Sequence, residues 1–225
     1  MGIRFSLYPQ ILLSIFLLLV SIIFFEYTSA DLIVEQFFYD YNAHHWLINQ
    51  NQALLKFIFY DGVKALFVLF LLTLIVLIFF TDKFQQLKPY KKGMIIVLIS
   101  CICVVGFVNF LKAITNTPCP KQITEFEGDY PYSKLFDTVD LDTYFRCWPA
   151  GHASGGFALM SLFFLFRGRK AKIAGLVTGI SIGWSTGLYK MLIGDHFLSH
   201  TVDSMLIAWI IILMVVSAYN KRITV

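Results

Sequence analysis

Six apolar runs divide the 225-residue chain and constrain its fold more than any other feature of the sequence. We assign them approximately to residues 8–27, 63–81, 93–112, 151–168, 172–190 and 200–218. A helix needs about 20 mostly apolar residues to cross a bilayer, so the shorter runs borrow flanking residues. Hydrophobic residues make up 58% of the chain and charged residues 14%, against roughly a half and a quarter in soluble domains. The sequence therefore predicts an all-α, polytopic membrane protein, one domain (1–225) with six transmembrane helices in a bundle.

Lysines and arginines lie mostly in the loops on one side of this predicted bundle. Segments 81–93 and 166–172 carry four each, and residues 220–225 carry two more. Cytoplasmic loops are enriched in these residues, so both termini are predicted to be cytoplasmic and 113–150 to form a periplasmic loop. A net charge of +4 can indicate a nucleic-acid partner. Here the basic residues sit in short loops between apolar runs, which favours the lipid bilayer as partner and no nucleic acid.

Two features upstream of the third run admit other interpretations. Arg4, the first apolar run and the small residues at 28–30 also resemble a signal peptide, whose removal would leave five spans and a periplasmic amino terminus. That run is long for a signal peptide, and the six-span charge pattern is complete, so six spans are favoured. The segment AHHW at 43–46 is interpreted as interfacial, with solvated histidines and Trp46 as a headgroup anchor.

Polar side chains gather near the span ends opposite the basic loops. They are Lys112, Arg146, His152, Lys190, Asp195, His196, His200 and Asp203. Taken singly, each has a structural interpretation, such as a lysine whose apolar stem lies along the span while its ammonium reaches the interface. Together they place several cations and three histidines at one membrane depth, which indicates a functional site.

Cations and the amides at the start of a helix form a binding site for an anion, most often phosphate. Pro149 suits the first turn of a helix, and Gly151 has no side chain to block a ligand's approach to free N–H groups. Two histidines permit covalent phosphoryl transfer, because one attacks phosphorus and the other protonates the departing oxygen. The pattern therefore predicts phosphoryl-transfer chemistry.

Three stretches resemble the motifs of the type 2 phosphatidic-acid phosphatase family, which read Lys-x6-Arg-Pro, Pro-Ser-Gly-His and Ser-Arg-x5-His-x3-Asp. They are KAITNTPCP at 112–120, PAGH at 149–152 and YKMLIGDHFLSH at 189–200. The chain departs from these motifs with Cys119 for Arg, Ala150 for Ser, Lys190 for Arg and His200 for Asp. The order, the spacing and the six-span layout agree with the family over about residues 60–215.

The resemblance implies a role for each matching residue. His196 resembles the nucleophile that forms a phosphohistidine, and His152 resembles the general acid. Lys112 and Lys190 would hold the phosphoryl oxygens beside Gly151.

The departures require substitutes for the family's missing groups. His200 lies one helical turn from His196 and would orient its ring in place of the family's carboxylate. Asp203 could restore the negative charge, directly or through His200. Arg146 is the candidate to supply the guanidinium that is missing at position 119, although no family motif includes it.

Cys119 and Cys147 both lie in the predicted periplasmic loop, where paired thiols would oxidise. We expect a disulfide between them that ties the first motif to the second and explains why an arginine is dispensable at 119. Cys101 and Cys103 lie within a span and are expected to be free. A catalytic Cys119 is the less favoured alternative, because no partner residue flanks it.

The predicted function is hydrolysis of a lipid phosphomonoester or diphosphate at the periplasmic face of a bacterial inner membrane, without a cofactor. Transfer of the phosphoryl group to another lipid acceptor and a catalytically weakened family member remain alternatives. His196 and His200 could instead bind a metal, with His152 as third ligand. A transporter or channel would need polar residues at mid-membrane, where the runs here are apolar.

Overall fold

The computed structural model describes residues 7–137 and 143–223, and this part of the chain is mostly helical. Its α-helices are α1 (Tyr8–Tyr27), α2 (Ala30–Glu35), α3 (Ala53–Lys56), α4 (Val63–Phe80), α5 (Lys91–Ile114), α6 (Gly151–Ala158), α7 (Arg169–Leu192) and α8 (Leu198–Ile223). A π-helical turn, Phe57–Gly62, joins α3 to α4. Short 3-10 turns cover Gln36–Phe38, Lys88–Tyr90, Pro120–Gln122, Thr124–Phe126 and Leu159–Phe164. Strands β1 (Tyr39–Asp40) and β2 (His45–Trp46) form a small antiparallel hairpin. The predicted all-α class is confirmed.

Four helices of the described chain are long and apolar enough to cross a membrane. They cover Tyr8–Tyr27, Ala53–Phe80, Lys88–Ile114 and Leu198–Lys221. The membrane character of the protein is therefore confirmed, whereas six transmembrane helices are not. Helix α6 with its 3-10 extension ends at Phe164 and is shorter than the about 20 residues of a full span. Helix α7 has 24 residues but includes many Gly, Ser and Thr residues, which lower its hydropathy.

Close backbone packing explains the composition of α7. A Cβ atom on Gly156 of α6 would lie 2.5 Å from the backbone nitrogen of Gly183 in α7. A Cβ atom on Gly179 would lie 2.3 Å from the backbone nitrogen of Met160. Because only glycine allows such an approach, α7 carries small residues where other membrane helices carry large apolar ones. The low hydropathy of α7 thus reflects helix packing within the bundle.

The main apolar core lies between α5, α6, α7 and α8. Val97 and Val104 of α5 are fully buried there with Phe157 of α6 and Ile212 of α8. Helix α1 packs along α8, and α4 packs along α5, while both helices present large apolar side chains outward. This core fixes the relative positions of the four helices that carry the family motifs.

A cap of irregular chain covers the turn between α7 and α8. We define the cap as the hairpin 39–46 together with the 3-10 turn Thr124–Phe126. Tyr39, Trp46 and Phe126 pack edge to face or tilted against one another. A Cβ atom on Gly194, which has φ of +71°, would lie 2.3 Å from the Trp46 indole. Trp46, which is half-buried, therefore packs onto this turn, and its role as a headgroup anchor stays a prediction.

A buried carboxylate holds the first turn of α8. Asp31 of α2 accepts a hydrogen bond of 2.8 Å from the Ser199 backbone N–H and one of 2.5 Å from its hydroxyl. This contact satisfies an amide at the helix start that has no partner within the helix. Because His200 follows Ser199, the position of α2 also fixes the beginning of the segment that carries His200.

Candidate active site

Five motif side chains converge at one end of the bundle, although four different helices and a turn carry them. Lys112 lies in the last turn of α5, His152 in the first turn of α6, Lys190 in the last turn of α7, His200 in the first turn of α8, and His196 in the turn between α7 and α8. The other four all lie close enough to His196 that a positive charge on any of them lowers the pKa of its imidazole. The structure therefore assembles one cationic pocket from three sequence stretches.

His196 and His200 face each other at the centre of this pocket. Their Nδ1 atoms are 3.5 Å apart and their ring centroids 5.6 Å apart, and both side chains are buried. The sequence predicts that both histidines lie on one face of a helix. In the structure α8 begins at Leu198, so His200 lies in the helix and His196 lies in the turn before it. Because His200 and the Cys147 sulfur, also at 3.5 Å, both face Nδ1, the Nε2 atom of His196 is the nitrogen left for attack.

The surroundings of His196 keep its imidazole neutral. Burial lowers the pKa of His196 well below its usual range, and the nearby positive charge of Lys112 lowers it further. A histidine must be unprotonated on the attacking nitrogen to act as a nucleophile. Since the depressed pKa keeps the ring neutral at neutral pH, His196 has the protonation state that such a role requires.

Lys112 lies beside the start of α6. Its Nζ atom is 3.6 Å from the position that a Cβ atom on Gly151 would occupy. The backbone N–H of Ala150, just before α6, donates a 3.1 Å hydrogen bond to the carbonyl of His200. The start of α6 is thus fixed against α8 and carries a lysine ammonium next to its first amides, an arrangement suited to binding an anion.

Asp195 joins two lysines at the mouth of the pocket. One of its carboxylate oxygens is 2.7 Å from Lys190 Nζ, and the other is 2.7 Å from Lys121 Nζ. Burial tends to raise the pKa of Asp195, but Lys190 and Lys121 outweigh that effect and hold it below its usual value. Asp195 is therefore an ionised carboxylate between two cations. Sequence analysis did not identify Lys121, which belongs to no motif.

Tyr60 is a second site residue that the sequence did not reveal. Its ring centroid is 4.4 Å from that of His152, and Lys190 Nζ lies 4.7 Å from the same ring. Tyr60 lies in the π-helical turn Phe57–Gly62, and such turns are frequent at functional sites. No motif includes this residue, and an isolated tyrosine before an apolar run carries no signal of its own.

Two predicted site residues lie elsewhere. Asp203 accepts hydrogen bonds from Ser21 at 2.7 Å and from the Trp148 indole at 2.9 Å, so its described partners belong to α1 and the loop rather than to the histidine pair. Arg146 is exposed, with its guanidinium 5.7 Å from the Tyr144 ring centroid. Its neighbours Phe145 and Cys147 are buried instead. Among the described contacts, neither Asp203 nor Arg146 reaches His196, so a role for either residue stays a prediction.

The expected disulfide between Cys119 and Cys147 is confirmed. The two Cα atoms are 5.3 Å apart, and the bond closes a loop over 28 residues of sequence. Cys101 and Cys103 are free, the first buried and the second exposed. Potential ligand atoms of Cys147, His196 and His200 lie within 4.8 Å of one another. The sulfur is bonded in the disulfide and is not a thiolate, so this group gives the metal alternative no support.

Replacing Cys119 and Cys147 together with serine should lower both stability and activity. The loop closure contributes up to about 3–4 kcal/mol in the chain-entropy model, and less here because helices already fix both loop ends. Loss of the sulfur beside His196 should also loosen the imidazole. Thermal unfolding in detergent and phosphate release measure the two effects, with Cys103→Ser as the control. Alkylation of both loop thiols in wild-type protein without reductant would contradict the bridge.

Comparison with known proteins places this geometry in a family. No curated protein and no solved structure matches the chain. Residues 93–224, more than half of the chain, match the PAP2 superfamily, and this range contains all three motif stretches and the disulfide. Members of this superfamily are phosphatases, which supports a phosphatase-type function for the cationic pocket. By this match and by the convergence of its motifs, the chain belongs to the PAP2 superfamily.

Proposed function

We propose that the protein is a membrane phosphatase that hydrolyses a lipid phosphomonoester or diphosphate through a phosphohistidine on His196. The observation that carries the proposal is the buried imidazole of His196, with His200 3.5 Å from its Nδ1 atom and the motif lysines Lys112 and Lys190 at the same end of the bundle. A neutral nucleophile among cations is suited to an anionic phosphoryl group. The charges of Lys112 and Lys190 bind that group and stabilise the additional negative charge of the transition state.

Two steps complete the reaction. Nε2 of His196 attacks phosphorus, and the bond from phosphorus to the lipid oxygen breaks. His152, protonated once the bound phosphoryl anion offsets the charges of Lys112 and Lys190, gives its proton to that oxygen. His200 holds the Nδ1–H group of His196 as the imidazole gains positive charge. Water then attacks the phosphohistidine and passes a proton to His152, which releases inorganic phosphate and restores both histidines.

The proposed topology has six crossings, with α6 and α7 as the fourth and fifth. Helix α6 packs against α5, α7 and α8, so the short α6 and its 3-10 extension need not face lipid along their whole length. Lysines and arginines concentrate at the end of the bundle opposite the pocket, which supports cytoplasmic termini. A disulfide beside the pocket suits an oxidising compartment. We therefore propose a site that faces the periplasm from the bacterial inner membrane.

A panel of lipids tests this function. Purified protein in detergent is incubated with phosphatidic acid, phosphatidylglycerophosphate, undecaprenyl diphosphate and phosphorylated lipid A, each labelled in the phosphoryl group. We expect free phosphate from at least one lipid and an acid-labile label on the protein at His196. Label that appears on a second lipid in place of free phosphate would identify a phosphotransferase. The proposal fails if no lipid yields either product.

A further inference from the structure

We propose that Lys121 is a phosphoryl-binding residue of this site. In the absence of substrate, the Asp195 carboxylate occupies the position between Lys121 and Lys190 that the phosphoryl group takes when it binds. The inference rests on the proposed function, because it assigns a ligand contact within the same pocket. Position 119, where the family motif has arginine, is occupied by a cysteine in a disulfide. Arg146, the expected substitute, is exposed and lies over Tyr144. Lys121, two residues after Cys119, instead directs its ammonium toward the pocket.

The contacts of Lys121 show where its charge acts. Its Nζ atom is 2.7 Å from one oxygen of Asp195 and donates a 3.1 Å hydrogen bond to Gln50. The other oxygen of Asp195 is 2.7 Å from Nζ of Lys190, the cation of the third motif. Lys121 and Lys190 are therefore separated by the width of one carboxylate. A phosphoryl group also presents pairs of oxygens a short distance apart, so the two lysines can share it in the same way.

The backbone around Lys121 keeps it in this position. Its N–H group donates a 2.9 Å hydrogen bond to the carbonyl of Gly194, next to Asp195. The adjacent disulfide attaches this 3-10 turn to the segment that leads into α6. The side chain keeps 36% of its surface exposed, whereas that of Lys190 keeps only 10%. Lys121 thus lies at the outer edge of the pocket, where an entering phosphoryl group meets it before the buried histidines.

Lysine substitutions measure this contact directly. Lys121→Ala should lower kcat/KM by about 10- to 100-fold, as expected for the loss of one charge-assisted hydrogen bond. The substitution should also raise the concentration of inorganic phosphate that is needed to protect the protein from thermal unfolding. Lys121→Arg should restore both properties. Lys56→Ala removes an exposed cation of α3 and serves as the matched control, with values equal to wild type.

A separate variant tests the role of Asp195. Asp195→Asn removes the internal anion but keeps the size of the side chain. If the carboxylate competes with phosphate, the variant should be protected at lower phosphate concentrations than wild type. Protection only at higher concentrations would show instead that Asp195 positions the lysines, and would overturn this part of the proposal.

The outcomes separate this inference from the proposed function. If His196→Ala is inactive while Lys121→Ala matches Lys56→Ala in both assays, the phosphatase assignment stands and the role of Lys121 is wrong. The same conclusion follows if Arg146→Ala loses activity and phosphate protection while Lys121→Ala loses neither. If no lipid is hydrolysed, yet inorganic phosphate protects wild type and not Lys121→Ala, the phosphate contact stands and the proposed function is wrong.

Discussion

Replacing His196 with alanine should lower the rate of phosphate release by at least about 10⁴-fold. Losses of this size are measured when an enzyme's nucleophile is removed. The imidazole is buried between His200 and the Cys147 sulfur, and its Nε2 atom is the nitrogen available to attack phosphorus. Alanine leaves no group that can form the phosphoryl intermediate. Release of labelled phosphate from the best lipid of the panel measures the effect, and the variant should also lose the acid-labile label.

A matched control separates this effect from general damage. His45 is an exposed histidine of the cap, and His45→Ala should release phosphate at the wild-type rate. His152→Ala should release phosphate about 10²- to 10⁴-fold more slowly, because general acid catalysis contributes that much to the rate. The His152→Ala protein should still become labelled on His196 by substrates whose leaving groups need no proton. Near-normal turnover by a folded His196→Ala protein would show that the nucleophile is another residue.

Position 200 should discriminate sharply between substitutes. His200→Leu should lose about 10³-fold, because the Nδ1 atom of His196 would face an apolar side chain while its ring gains positive charge. His200→Asp should retain substantial activity, since it supplies the carboxylate that the family motif has at this position. In the structure the two Nδ1 atoms are 3.5 Å apart, so a group at position 200 acts directly on the nucleophile.

Phosphate release by both variants, together with thermal unfolding in detergent, measures the contrast. Both side chains replace a buried histidine, so a loss of folding alone would affect the two variants alike. Equal activity of His200→Leu and wild type would mean that His200 only fills space. An inactive but folded His200→Asp would mean that a fixed negative charge at this position does not suit the present pocket.

The sequence predicts the features that depend on spacing within one segment. The apolar runs indicate membrane helices, and the four-residue separation of His196 and His200 indicates neighbouring side chains even though His196 precedes α8. The pair Cys119 and Cys147 could be predicted because both thiols lie in one predicted loop. The six transmembrane helices predicted from the apolar runs are not confirmed in full, because the glycines that let α7 approach α6 lower the hydropathy of that helix.

Features that depend on contacts between distant segments could not be predicted. Asp203 lies within one helical turn of His200, yet its partners are Ser21 and Trp148. The ammonium of Lys121 reaches Asp195 because the 3-10 turn Pro120–Gln122 lies against the turn after α7. Tyr60 meets His152 across more than 90 residues of sequence. Each of these contacts follows from three-dimensional packing, and a single sequence without its fold carries no periodic or motif signal for them.

The hydrogen bonds between Asp31 and Ser199 limit how far this activity can be moved between proteins. Three residues that precede residue 93, where the family match begins, contact the pocket segments. Asp31 binds the first turn of α8, Trp46 packs on the turn that carries His196, and Tyr60 packs against His152. A fragment cut to residues 93–224 would retain every motif residue and lose these three supports. A graft of the motifs onto a relative would meet the same difficulty, because its own amino-terminal helices would have to offer an equivalent carboxylate, indole and phenol. Substitutions in the first 92 residues can therefore alter the pocket while they leave every motif residue unchanged.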